Sequence, residues 1–228
     1  MVEVQQIPSS MYLNRVELLP PPDEKPSYAF ENGNFSHLEL KNYRGIPVAV
    51  RQYETGILQE AKTVLNLPPH PCLPVLIGVC NDSKPYLLIT KFYGKVRKGV
   101  IMSVSGLLKA SHIDILHWTS IVLDIAEGLC HMHSNGFIHG ELKAENIILQ
   151  RKLVKSFVLQ PVFLNLNKGK PIDREQSAIA YQHDINMFGC LVDTISAALS
   201  QKGSTGLSGV SQFVKDMPAN GNMVAVVT

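Results

Sequence analysis

Between residues 117 and 149 the chain commits to one arrangement: a long amphipathic helix, a glycine stop, and a polar loop held between two apolar anchors. Trp118, Val122, Ile125, Leu129 and Met132 recur at helical spacing over residues 117–135, about five turns, so one face of this helix is built for burial. Gly136 is placed to cap its end. Residues 137–149 then read FIHGELKAENIIL, which sets His139, Glu141, Lys143, Glu145 and Asn146 between apolar pairs. The plain reading of this loop is a His-Gly turn followed by the start of a short helix. His131 and His133 lack the i, i+4 spacing and third partner that a metal site needs, and are expected on the helix surface.

A chain of 228 residues with 45% hydrophobic content can bury a real core, and its length suits one large domain or two small lobes. The 21 basic and 19 acidic residues give a net charge of +2 without long runs of either sign, so charge offers no reason to expect nucleic acid or membrane as partner. Cys72, Cys80, Cys130 and Cys190 show no C-x-x-C spacing, which argues against a zinc site or a disulfide framework and for a reduced, cytoplasmic setting. The opening MVEVQQIPSS has no basic stretch leading into an apolar one, and no window approaches the roughly 18 apolar residues of a membrane span.

Pro8, Pro20, Pro21, Pro22 and Pro26 mark residues 1–27 as an extended, proline-rich tail, a stiff linker or a ligand for a proline-reading domain. Over residues 28–53, apolar alternation at Phe35, Leu38 and Leu40 and again at Val48 and Val50 predicts two or three antiparallel strands. Ile57, Leu58, Ala61, Val64 and Leu65 predict a helix over 54–67, stopped by Pro68 and Pro69. Residues 85–92 read as a strand and 107–116 as a short helix. Beyond Asn146 come an apolar run, a basic turn at 150–152, and strands about a turn. Residues 203–228 are rich in Gly, Ser and Asn, with one short helix at 210–215.

Several of these segments together resemble the protein kinase superfamily, in its serine/threonine or tyrosine-kinase-like branch. FIHGELKAENIIL is similar to the catalytic loop H-R-D-L-K-x-x-N, with His139, Leu142, Lys143 and Asn146 at matching places, and with Gly140 and Glu141 where the family has Arg and Asp. Val48-Ala49-Val50-Arg51 resembles V-A-I-K with arginine for lysine, and Glu60 falls at the ion-pairing glutamate of the following helix. Gly33 sits at the second glycine of G-x-G-x-x-G, while Glu31 and Ser36 occupy the first and third. PYLLITKF resembles the fifth strand, with Thr90 at the gatekeeper place and Lys91, Phe92 and Tyr93 in the hinge. QPVFLNLNK sets Asn165 on the metal-binding Asp of D-F-G; a shorter hairpin would set Val158 there. DINMFGCL resembles the start of the central large-lobe helix, whose Asp, here Asp184, buttresses the catalytic loop.

The resemblance covers about residues 28–200. It implies an α+β, two-lobed, protein-kinase-like fold: a Pro-rich tail (1–27), a β-rich small lobe (28–93), a helical large lobe truncated at its C-terminal end (94–200), and a loosely packed final segment (201–228). It further implies an ATP site at Gly33, Leu38, Ala49, Arg51, Glu60, Thr90, Phe92 and Ile148, with Leu38, Ala49 and Ile148 sandwiching adenine. Glu141, Lys143 and Asn146 stand at the catalytic places, and Asn146 and Asn165 at those for Mg²⁺, which has lost its carboxylate. Losing an oriented donor costs about 10² to 10³ in rate and losing a general base about 10² to 10⁴. Two modest losses would bring a kinase of about 1 to 100 s⁻¹ to about 10⁻⁴ to 10⁻² s⁻¹. The expectation is a pseudokinase that acts as an interaction or allosteric module on a signalling protein or partner kinase. The alternatives are a weak ATP-dependent kinase with Glu141 as base, or a truncated, non-functional fragment.

Overall fold

The computed structural model describes residues 5–21, 38–94, 101–110, 115–153, 157–169 and 177–201. Gly33, with Glu31 and Ser36, lies outside these residues, as do Pro22 and Pro26 and the helix expected at 210–215. A five-stranded antiparallel sheet is formed by β1 (Leu18–Leu19), β2 (Leu38–Tyr43), β3 (Ile46–Tyr53), β4 (Leu76–Cys80) and β5 (Tyr86–Lys91), in the order β1-β2-β3-β5-β4. Helix α1 (Ile57–Asn66) packs against it through Ile57 and Ala61, which meet Leu76, Val79 and Leu88. Strand periodicity sorts the central β3 cleanly. Val48 and Val50 join Cys80, Leu87 and Ile89 on the outer face, while Ala49 joins Leu38 and Ile148 on the other, the side to which Arg51 also points.

The second lobe is helical apart from one hairpin. Helix α2 (Val104–Ala110) and the 20-residue α3 (Ile115–Ser134) precede the loop at 137–146. Strands β6 (Ile147–Leu153) and β7 (Phe157–Phe163) form the hairpin, and α4 (Ser177–Ser200) follows. The core is the predicted apolar face of α3, with Trp118, Ile125 and Leu129 meeting Phe163 of β7 and Ile185, Phe188 and Val192 of α4. The described residues form a two-lobed kinase-like fold.

Four local expectations are corrected. Residues 5–21 are not a free tail: Ile7 is buried against α1 and β4, and β1 pairs with β2. Proline content had suggested extended chain, but Ile7, Leu13 and Leu18 supply apolar anchors. Residues 150–152 are strand rather than turn, because Gln150 and Arg151 continue the ladder opposite Gln160 and Leu159. Helix α2 spans Val104–Ala110 and so begins three residues before the 107 expected; Ser103 Oγ accepts from the Gly106 N–H at 3.0 Å and caps its first turn. Helix α4 is already formed at Ser177, about two turns before Asp184.

Candidate functional site

The loop at 137–146 is fixed from beneath by one buried carboxylate. Asp184 on α4 is fully buried and accepts hydrogen bonds from the backbone N–H groups of His139 (2.7 Å) and Gly140 (2.8 Å) and from His133 Nε2 (3.0 Å). Burial alone would raise its pKa, but these donors and the neighbouring His139 outweigh it and hold the carboxyl below the usual aspartate range. Gly140 has φ +76°, and a Cβ there would stand 3.0 Å from Lys168 Cβ and 3.1 Å from its carbonyl oxygen. A side chain at this position is both strained and crowded. His133 was expected on the surface; it is buried, bonded to Asp184 and tilted against the Tyr181 ring at a centroid distance of 4.5 Å. Helical period alone could not reveal it, because the partner comes from α4, 51 residues on.

Above the loop, Arg51 of β3 gathers the cleft's polar groups. One Nη of Arg51 lies 2.7 Å from Tyr53 Oη, 2.7 Å from Asn165 Oδ1 and 3.2 Å from Glu60 Oε1. Tyr53 Oη donates to Glu60, and Glu60 is only 1% exposed, which rules out a surface position for it. Burial works against the arginine's charge, but Glu60 and Tyr53 more than compensate and its pKa is raised. Asn165 in turn donates from Nδ2 to Asn146 Oδ1 at 2.6 Å, and Asn146 donates from Nδ2 to the Glu141 carbonyl at 2.8 Å. Arg51, Glu60, Asn165, Asn146 and Glu141 are thus linked into one chain of contacts across both lobes. Tyr53 belongs to it although the sequence offered only its place two residues beyond Arg51, on the same strand face.

Of the two alignments of the hairpin, Asn165 lies at the cleft, whereas Val158 pairs with Lys152 along the ladder. Asn165 takes the left-handed backbone conformation (φ 61°, ψ 45°), which asparagine tolerates better than most residues. Glu141 is held by Lys143 Nζ at 2.9 Å and Lys168 Nζ at 3.4 Å. The hydrogen bond from Lys143 is the main reason its pKa is lowered, so the carboxylate is ionised and already paired. Leu38, Ala49 and Ile148 come together, packed with Leu40, Phe92, Tyr93, Ile101, Val162 and Leu164 in one buried cluster, and Thr90 stands opposite Ala49 in the sheet.

The donor set does not suit a divalent cation. Mg²⁺ is bound through one or two carboxylates plus phosphate oxygens and water. Here Asn146 Oδ1 and Asn165 Oδ1 are neutral amide oxygens, each already accepting a hydrogen bond. Among the described residues no group of three His, Cys, Asp or Glu side chains could hold a metal.

His139 makes the site sensitive to acid. It is fully buried, and that burial outweighs the pull of Asp184 and Glu60, so its pKa lies below the ordinary 6.5. The unfolded chain therefore takes up this proton at a higher pH than the native state does. The contribution is whole above about pH 6.5 and is lost as pH falls toward the folded value. Urea unfolding of the protein is expected to show stability declining from pH 7 to pH 5, with a shallower decline in His139→Gln. An unchanged slope in that variant would contradict this assignment.

Two lobes, a helix glutamate paired with a strand cation within the small lobe, and a loop buttressed by an aspartate of the following helix define the architecture of a protein kinase domain. The sequence comparisons agree: residues 38–158 match the family model described as protein tyrosine and serine/threonine kinase, and this chain belongs to that family. A protein of Dictyostelium discoideum named as a probable serine/threonine-protein kinase is 28% identical over 130 residues, 51% of this chain and 23% of its own length. Receptor-interacting serine/threonine-protein kinase 1 of Homo sapiens is 32% identical over 149 residues, 65% of this chain and 21% of that protein. Cytoplasmic tyrosine-protein kinase BMX of Mus musculus is 29% identical over 132 residues, 54% and 19% of the two chains. The chain thus spans about a fifth to a quarter of the length of these relatives. No helix among the described residues is long and apolar enough to cross a membrane.

Proposed function

We propose that this is a pseudokinase domain: a kinase fold that offers its shape to a signalling protein or partner kinase and has given up efficient phosphoryl transfer. The observation that carries this reading is the self-contained hydrogen-bond chain from Glu60 through Arg51 and Asn165 to Asn146. Kinases of this family use ATP and Mg²⁺, with a lysine on the phosphates and an Asp on the metal. One Nη of Arg51 is taken up by the protein acceptors Tyr53, Glu60 and Asn165, and Asn165 brings no charge to neutralise a cation. The apolar trio Leu38, Ala49 and Ile148 supports adenine binding, so any nucleotide would be held by the base and not through a metal.

A thermal shift assay with ATP, with and without Mg²⁺, tests this directly. Ligand at about 100 times its Kd adds roughly 2.7 kcal/mol of stability. The expected result is that Mg²⁺ adds nothing to whatever shift ATP alone produces. A weak kinase with Glu141 as base predicts instead Mg²⁺-dependent ATP turnover that disappears in Glu141→Ala, and that result would overturn the pseudokinase reading.

A further inference from the structure

Residues 5–19 run across the small lobe from one side to the other. At the start, the Gln5 N–H donates to Asn66 Oδ1 at 2.7 Å, and Asn66 Nδ2 returns a bond to the Gln5 carbonyl at 3.4 Å, so the segment is tied to the last residue of α1. Ile7, 7% exposed, enters the seam with Ile57 and Ala61 of α1 and Leu76 and Val79 of β4. Tyr12 bridges Val79 in parallel register, and the Leu13 N–H donates to the Val79 carbonyl at 2.9 Å. Leu13 and Leu18 then pack on the outer apolar face made by Val48, Val50, Cys80, Leu87 and Ile89. Arg15 clamps the turn between β4 and β5, donating to the Ser83 and Pro85 carbonyls and lying 3.4 Å from Asp82 Oδ1.

The fit is tightest at Gly78 of β4. A Cβ there would lie 2.6 Å from the Met11 carbonyl oxygen and 2.5 Å from Leu13 Cγ. One is backbone, so it cannot be relieved by turning a side chain. Helix α1 itself is held on its other flank by Thr63 Oγ1 and Gln59 Nε2, which both donate to the Gly169 carbonyl, at 2.8 and 3.0 Å. That helix carries Glu60, and with it the partner of Arg51.

We propose that residues 5–19 are a positioning strap, an element of the chain that holds the far end of α1 and so keeps Glu60 seated on Arg51 and Tyr53. The strap joins three bodies that could otherwise shift independently: the C-terminal end of α1, the β4 edge and the β4–β5 turn. Helix shifts at packed seams are a common form of switching, and a segment bridging helix to sheet biases that equilibrium. The inference does not depend on whether the cleft takes nucleotide.

Hydrogen exchange on the full chain tests it with substitutions that lie outside α1. Arg15→Ala removes the clamp at a side chain remote from the helix, and Gly78→Ala unseats Met11 and Leu13 from below. In both variants the amides of residues 61–66 are expected to exchange about fivefold to tenfold faster, the ratio for losing about one net hydrogen bond's worth of stability. Leu19→Ser, at a 56% exposed position on β1, serves as the control and should leave those amides unchanged. Faster exchange confined to residues 5–21 in Arg15→Ala would overturn the proposal, as would equal acceleration of α1 in the Leu19 control. Because the Arg15 change does not touch the core, it remains readable if Gly78→Ala fails to fold.

Discussion

Asp184→Ala is expected to lower unfolding free energy by about 3–5 kcal/mol. The reason is what the change leaves behind. The N–H groups of His139 and Gly140 and the His133 ring nitrogen all lose their acceptor, and His133 and His139 are buried. Each buried donor without a partner costs about 1–3 kcal/mol, and the cavity left by the carboxylate adds to this. Asp184→Asn separates charge from shape. It keeps one acceptor oxygen but turns an NH₂ toward one of the two backbone donors, so it should recover only part of the loss. Equilibrium urea unfolding measures both, and a loss under about 1 kcal/mol for the alanine variant would contradict the buttressing role. The carboxylate's depressed pKa gives a second readout. Its stabilisation is complete above the unfolded value of about 3.9 and fades as pH falls through the folded one, a more acid limb than that of His139.

Glu60→Leu is expected to cost a similar amount, about 3–5 kcal/mol, because it strands the Arg51 guanidinium in a poorly solvated place. The informative comparison is with Arg51→Met and with the double variant Arg51→Met/Glu60→Leu. Removing both charges together abolishes the stranded ion, so the double variant should be about 2–3 kcal/mol more stable than the sum of the single losses predicts. It should not return fully to the parent, since Tyr53 Oη and Asn165 Oδ1 each lose a partner. Strict additivity in thermal or urea unfolding would mean that the pair is not coupled and that the cleft is held by packing alone.

Residues acting within one local motif could be placed from the sequence. Lys143 and Asn146 are matched by the resemblance of HGELKAEN to the kinase catalytic loop, and Ala49 and Arg51 by that of VAVR to V-A-I-K. Glu60 is matched by the same resemblance, and α1 buries it along with Ile57 and Ala61. Groups whose role is set by a distant partner were hidden. His133 reads as a surface residue until α4 delivers Asp184 and Tyr181 to it. Tyr53 looks like an ordinary β former until α1 turns Glu60 onto its hydroxyl. Lys168, which shares Glu141 with Lys143, follows a left-handed turn at Asn165 that no local pattern announces. Residues 5–21 were misread because prolines signal extended chain but do not say whether extended chain is docked.

The short outermost strand has one more consequence. On one side the five-stranded sheet ends in β1, two residues long, where Glu17 and Arg44 form an ion pair at 2.9 Å. On the other side the Val79 carbonyl of β4 is engaged by Leu13. A sheet margin invites a foreign strand in proportion to the run of open amide and carbonyl groups it displays. With the β4 margin engaged by its own chain at Val79, that side of the small lobe is poorly suited to pairing with a foreign strand.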